Sequence, residues 1–147
     1  MTVAGIIQQY NAERPNSIDD ELKVGWLRKV EQMIISEVIT QHEHDLEDTS
    51  ALSLNVSGSV LYIERAGNLT EHIASFGMDT ELLVPEPYDD LYLFYIDQRI
   101  AYNNNDSRRY NAAVTQYNNA LLTYQQYFNR SYKAITSQKR LLRHETL

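Results

Sequence analysis

The stretch His42-Glu43-His44-Asp45 is the only cluster in the chain that resembles a set of metal ligands. A His-x-His pair on an extended segment can chelate one ion, and Glu37, Glu43 and Asp45 lie close by in sequence. The spacing does not match the His-Glu-x-x-His zinc helix, and an acidic linker is the simpler reading. Two acid pairs, Asp19–Asp20 and Asp89–Asp90, have the composition for acid/base work. Both fall at expected helix starts, where capping and the helix dipole explain them. His72 and His144 stand alone. There is no Gly-x-Ser-x-Gly, no glycine-rich phosphate loop and no nucleotide fingerprint, and only five glycines are available to build one. Cysteine is absent, which removes thiol catalysis, disulfides and cysteine-ligated zinc. The expectation is a protein without catalytic residues, bound metal or cofactor.

The elements that would position any site follow from composition and periodicity. The chain has 147 residues and is 43% hydrophobic, enough for one domain with a packed core. No apolar run approaches the roughly 20 residues of a membrane span. The opening "MTVAGIIQQYNAERP" lacks a basic start and a long apolar centre, so no signal peptide is expected. Net charge is −7, unevenly spread. Residues 1–127 hold 19 acids and 8 bases, whereas residues 128–147 hold one acid and five bases. The basic tail, with Arg130, Lys133, Lys139, Arg140 and Arg143, reads either as solvated chain or as a segment that meets an acidic surface. That surface would be a neighbouring copy or nucleic acid. The body is too acidic for a general DNA-binding domain.

A short helix is expected over residues 2–13, with Ile6, Ile7 and Tyr10 on one side. A longer one follows, capped by Ser17 or Asn16 and carrying Asp19, Asp20 and Glu21 in its first turn. Its stripe is Leu22, Trp26, Val30, Met33 or Ile34, and Val38, running to about Gln41. Gly25 weakens this helix and suggests close approach of another element beside Trp26. Residues 42–80 break the helical pattern. Leu52, Leu54 and Val56 alternate with polar residues, and Val60–Ile63 follows "SG", which predicts a β-hairpin or extended loop. A short helix is expected near Leu69–Phe76. Pro85 and Pro87 then hold the chain extended before a helix whose inner side is Tyr88, Leu91, Tyr92, Tyr95, Ile96 and Ile100. Asn105 or Asp106 caps the last helix. Its stripe, Tyr110, Val114, Tyr117, Leu121, Tyr124 and Phe128, steps by four and three.

Nine of the eleven tyrosines fall between Tyr88 and Tyr132. Most lie on these two inner stripes, where the ring packs and the hydroxyl reaches the rim. Tyr102, Tyr127 and Tyr132 lie off or beyond the stripes. With the basic residues of the tail they are the candidates for a surface that another protein covers.

Three segments carry a resemblance: "ERPNSIDDELKVGWLRKVEQMI" (Glu13–Ile34), "TELLVPEPYDDLYLFYIDQRI" (Thr80–Ile100) and "RYNAAVTQYNNALLTYQQYFNR" (Arg109–Arg130). They resemble the head-tail connector proteins of tailed bacteriophages and prophages, also called head-completion or adaptor proteins. The segment from His42 to Asp79 departs most. The resemblance implies a mainly α fold, a bundle of four to five helices with a loop between the second helix and the C-terminal helix pair; the alternation noted above makes that segment a long loop or small β-hairpin. In these terms residues 1–130 form a single connector domain, with the insertion at about 42–80, and 131–147 form a basic tail. It also implies a ring, commonly of about twelve copies, and leaves the state of the free subunit, monomer or oligomer, open. Its partners would be the portal protein, a tail or stopper protein, and DNA that passes through without specific binding. The location would be the virion neck, with assembly in the host bacterial cytoplasm and no membrane contact. Two other readings are a helical interaction module of different partnership (a neck or tail-completion protein, or a non-phage adaptor) and, more remotely, a metal-dependent hydrolase using His42 and His44.

Overall fold

The computed structural model of the chain describes residues 1–39, 53–57, 60–65 and 68–131. Within them lie four helices and one three-stranded antiparallel sheet. The order is α1 (Val3–Glu13), α2 (Asp20–Glu37), β1 (Ser53–Ser57), β2 (Val60–Arg65), β3 (Asn68–Glu71), α3 (Asp90–Asn103) and α4 (Ser107–Ser131). The expected mainly helical bundle, with a small β element between α2 and the C-terminal pair, is what the chain forms.

Thr2 caps α1, its hydroxyl accepting the Gly5 N–H at 3.1 Å. Asp19, not Ser17 or Asn16, caps α2. Its extended backbone leads into the helix, and its Oδ1 accepts the Glu21 N–H at 3.2 Å. Asn16 instead holds the connection, accepting from Ile18. The buried face of α2 is also rotated from the expected stripe. Lys23, Trp26, Leu27, Val30, Glu31, Ile34 and Ile35 face inward, and Leu22 is 53% exposed. Two charged residues thus take places that periodicity reserves for apolar ones, because each finds polar partners inside. The Lys23 ammonium, buried with its stem, donates to Asn11 Oδ1, the Ile18 carbonyl and Asp20 Oδ1.

Gly25 does not mark a close approach. A methyl placed there would meet nothing within 4 Å. Its substitution by alanine therefore removes only the backbone entropy cost of a helical glycine. Gly25→Ala is expected to stabilise the protein by about 1 kcal/mol, read as a rise in the denaturant midpoint at constant m.

Strands β1 and β2 pair from Ser53↔Glu64 to Ser57↔Val60, a two-residue hairpin register. β3 extends the sheet on the β2 side, from Tyr62↔Glu71 to Arg65↔Asn68. The helix expected near Leu69–Phe76 is absent. Its first residues are β3 and the next are turns, since pairing with β2 satisfies the backbone before a helix can nucleate. Leu61 of β2 is 1% exposed and belongs to the core shared by the helices.

α3 and α4 form an antiparallel hairpin through a tight turn in which Asn105 has φ 55°. Asp106 Oδ1 accepts the Arg109 N–H and caps α4. The inner side of α3 is Leu91, Tyr92, Ile96, Asp97, Ile100 and Ala101. That of α4 is Ala113, Tyr117, Tyr124 and Phe128, flanked by the half-buried Val114 and Leu121. Most expected stripe residues are inside, with Asp97 an addition. The Glu86–Pro87 peptide before α3 is cis.

Candidate interaction surface

Two buried polar joints account for the groups with the strongest chemical potential. At the first, Glu31 is fully buried on α2. Its Oε1 accepts from His72 Nε2 at 3.1 Å and from the Leu83 N–H at 2.8 Å. Its Oε2 accepts from the Tyr92 hydroxyl at 2.9 Å, and that hydroxyl accepts the Val84 N–H at 3.0 Å. Burial and then the Glu31 charge hold the Tyr92 hydroxyl well above its ordinary pKa, so it remains a donor. A Glu–His pair beside a cavity of about 360 Å³, lined by Thr70, His72, Ser75 and Thr80 among others, has the parts of an acid/base site. Its bonds point elsewhere. Both carboxylate oxygens are occupied by structural donors, and the Ser75 hydroxyl donates to the Glu71 carbonyl at 2.6 Å. The cluster fastens α2, the segment after β3, residues 83–84 and α3 to one another.

At the second joint, Asp97 of α3 is 4% exposed. It accepts from the Tyr10 hydroxyl of α1 at 3.0 Å, from Arg109 of α4 at 3.1 Å and from Arg14 at 2.5 Å. Burial first, and the adjacent Asp97 charge next, raise the Tyr10 hydroxyl far above its usual value, which keeps it a donor.

The surface holds what these joints leave over. The α3–α4 turn end carries Tyr102, 62% exposed, with the Tyr110 ring 5.9 Å away. Both line a groove of about 590 Å³ with Asn103, Asn105 and Asn111. Arg99, one turn before Tyr102, lies with its guanidinium carbon 5.8 Å from the Trp26 ring and 5.9 Å from the Tyr102 ring. Its Nε is buried without a hydrogen-bond partner. The opposite end of the hairpin carries Tyr127, half-buried and stacked on Tyr88 at 4.6 Å, with Tyr124 behind them. The structure therefore separates the expected surface tyrosines. Tyr102 is exposed, and Tyr127 is built into a stack against the core. Arg130 is exposed in the last turn of α4, where the helix dipole favours a cation. Tyr132, Lys133, Lys139, Arg140 and Arg143 lie outside the described residues, as do His42, His44 and Asp45. Among the described residues no group of three or more metal-ligating side chains converges.

Next to the Tyr88 stack, Pro85, Glu86 and Pro87 are exposed, as is Asp90. Asp89 between them is buried and makes no side-chain cap bond. Burial, reinforced by the charges of Glu86 and Asp90, raises its carboxyl above the ordinary 3.8, against a smaller pull from its own backbone N–H. The folded state thus holds this proton more tightly than the unfolded chain does. The resulting stabilisation is full below about pH 4 and is lost as pH rises through the raised value. Asp89→Asn is expected to raise the melting temperature at neutral pH, with the gain shrinking as pH falls toward about 4.

Arg99 and Glu86 were not among the expected surface residues, yet each carries a local signal. Arg99 has Tyr95, Ile96, Tyr102 and Asn103 at its helical neighbour positions, so no acid can pair with it along α3. Glu86 is bracketed by two prolines, which keep it out of the helix that follows. No protein-family model matches this chain, and neither curated proteins nor solved structures give a match.

Proposed function

We propose that the chain is a structural virion-assembly protein, a head-tail connector subunit that forms a ring beneath the portal. The ring would extend the DNA channel and offer the tail or stopper protein a docking site. The observation that supports this most is architectural. After an insertion, α1 and α2 are followed by a long α3–α4 hairpin, the order of helices that the resemblance of the three helical segments implies. The chemistry supports it too. The buried acids Glu31 and Asp97 are committed to joints between elements, while uncommitted polar and aromatic groups lie on the outside. An acidic body also suits a channel wall, because it repels phosphates and lets DNA slide.

The test is to incubate the purified full chain with a purified portal ring from the same source and image the mixture by electron microscopy. Added ring density on the tail-facing side of the portal is the expected result. Portal rings that stay bare at saturating subunit would overturn the reading, and would leave a helical interaction module with a different partner.

A further inference from the structure

Among the described residues Arg99 has no counter-charge: its guanidinium makes no ion pair and no hydrogen bond there, and its Nε is shut off from water. Two aromatic faces, Trp26 and Tyr102, lie beside it. Cation–π contact offsets part of the charge, and the terminal guanidinium nitrogens are donors without an acceptor among the described residues. A carboxylate arriving over Tyr102 would meet a planar donor fork already held in place. The surface around it offers two aromatic faces, exposed Tyr102 and half-buried Tyr110, above a polar groove lined by Asn103, Asn105, Asp106 and Asn111. Leu22 is exposed one helical turn before Trp26. Because Glu31 meets Tyr92 while Trp26 meets Arg99, α2 and α3 run antiparallel, which puts Leu22 toward this same end.

The same chain carries the complementary group. Glu86 is exposed between two exposed prolines, and among the described residues neither it nor Asp90 has an ion-pair partner. Proline rings pack on tyrosine faces, and a proline-flanked acid loses little freedom on docking. The two features sit at opposite ends of α3. Asp90 and Tyr102 are about 18 Å apart along the helix axis. Glu86 and Arg99 of one subunit therefore cannot pair with each other.

We propose that Arg99, Tyr102 and Tyr110 receive the Pro85–Glu86–Pro87 turn of a second copy of this chain, in a head-to-tail contact with Glu86 paired to Arg99. Such a contact is heterologous, so each copy keeps one free donor face and one free acceptor face. It names a subunit contact for the ring and rests on the connector reading only for closure into that ring.

The experiment is sedimentation of the full chain up to millimolar concentration, at low and high salt. The expected result is self-association that weakens as salt rises. Arg99→Ala and Glu86→Ala should each weaken it about tenfold or more while the chain stays folded, as read by circular dichroism. Mixed in equal amounts, the two variants should form one-to-one dimers and nothing larger, because each retains the face that the other lacks. Tyr102→Ser, at an exposed position, should weaken association in the same direction. The proposal is overturned if the natural chain stays monomeric throughout, if Arg99→Ala associates normally, or if the variant mixture fails to dimerise. Failure here with portal binding intact would remove this contact and leave the connector reading standing. Association through these residues without portal binding would do the reverse.

Discussion

Glu31→Ala is expected to destabilise the protein by about 3–5 kcal/mol, the largest effect of any single substitution proposed for it. The carboxylate is fully buried and accepts three hydrogen bonds, from His72, Leu83 and Tyr92. Alanine leaves all three donors without an acceptor and opens a cavity. Buried ionic groups can often be exchanged for apolar ones at little loss, but not here. One donor is the Leu83 backbone N–H, and the Val84 N–H depends on the Tyr92 hydroxyl that Glu31 orients. No side-chain substitution removes a backbone donor, so repacking cannot empty the site of polar demand. Glu31→Gln keeps the volume and one acceptor oxygen, and should lose less, about 1–3 kcal/mol. Against a typical total stability of about 5–15 kcal/mol, the alanine variant approaches unfolding. Urea denaturation of both variants checks this, and a loss below about 1 kcal/mol for alanine would show that the joint is not what fastens these elements. Amide exchange offers a second view. His72 follows β3 directly, and its N–H donates to the Leu61 carbonyl of β2, so the base of the sheet should lose protection together with residues 83–84.

This joint also shows where reading the sequence stops. Helix existence and most of the buried stripes follow from spacing alone: Ile6, Ile7 and Tyr10 in α1, Tyr117, Tyr124 and Phe128 in α4. Periodicity registers only apolar residues, so it assigned Leu22 to the interior of α2 and passed over Lys23 and Glu31. The burial of Glu31 depends on partners 41, 52 and 61 residues away, which no local window contains. The β region failed in a different way. Alternation flagged β1, but β3 spans only four residues, and its state is decided by the edge that β2 offers. A local helical preference over Leu69–Phe76 lost to that edge. The candidate surface was half legible. Tyr102 stood out because it falls off both stripes, whereas the isolation of Arg99 emerges only once Trp26 is seen beside it. Tyr127 misses the strict four-three spacing, yet the stripe is wide enough to hold it against Tyr88.

Asp97→Ala is the second large effect, expected at about 2–3 kcal/mol. The joint resembles that of Glu31 in one respect: a buried carboxylate of α3 collects donors from three other parts of the chain, Tyr10, Arg14 and Arg109. The difference lies in the donors. The Arg14 and Arg109 side chains are 46% and 44% exposed, so each can turn to water when the carboxylate is gone. Only the Tyr10 hydroxyl, on a residue 2% exposed, is left stranded. The penalty is therefore smaller than at Glu31, although the number of donors is the same. The same argument predicts redundancy. Arg14→Ala or Arg109→Ala alone should lose well under about 1 kcal/mol, since the other guanidinium still faces the carboxylate. Removing both should lose more than the sum, because Asp97 would then be a buried charge with only Tyr10 beside it. A double-mutant cycle on the two arginines measures this directly. Strict additivity would mean that water already reaches Asp97 and that the arginines neutralise it little.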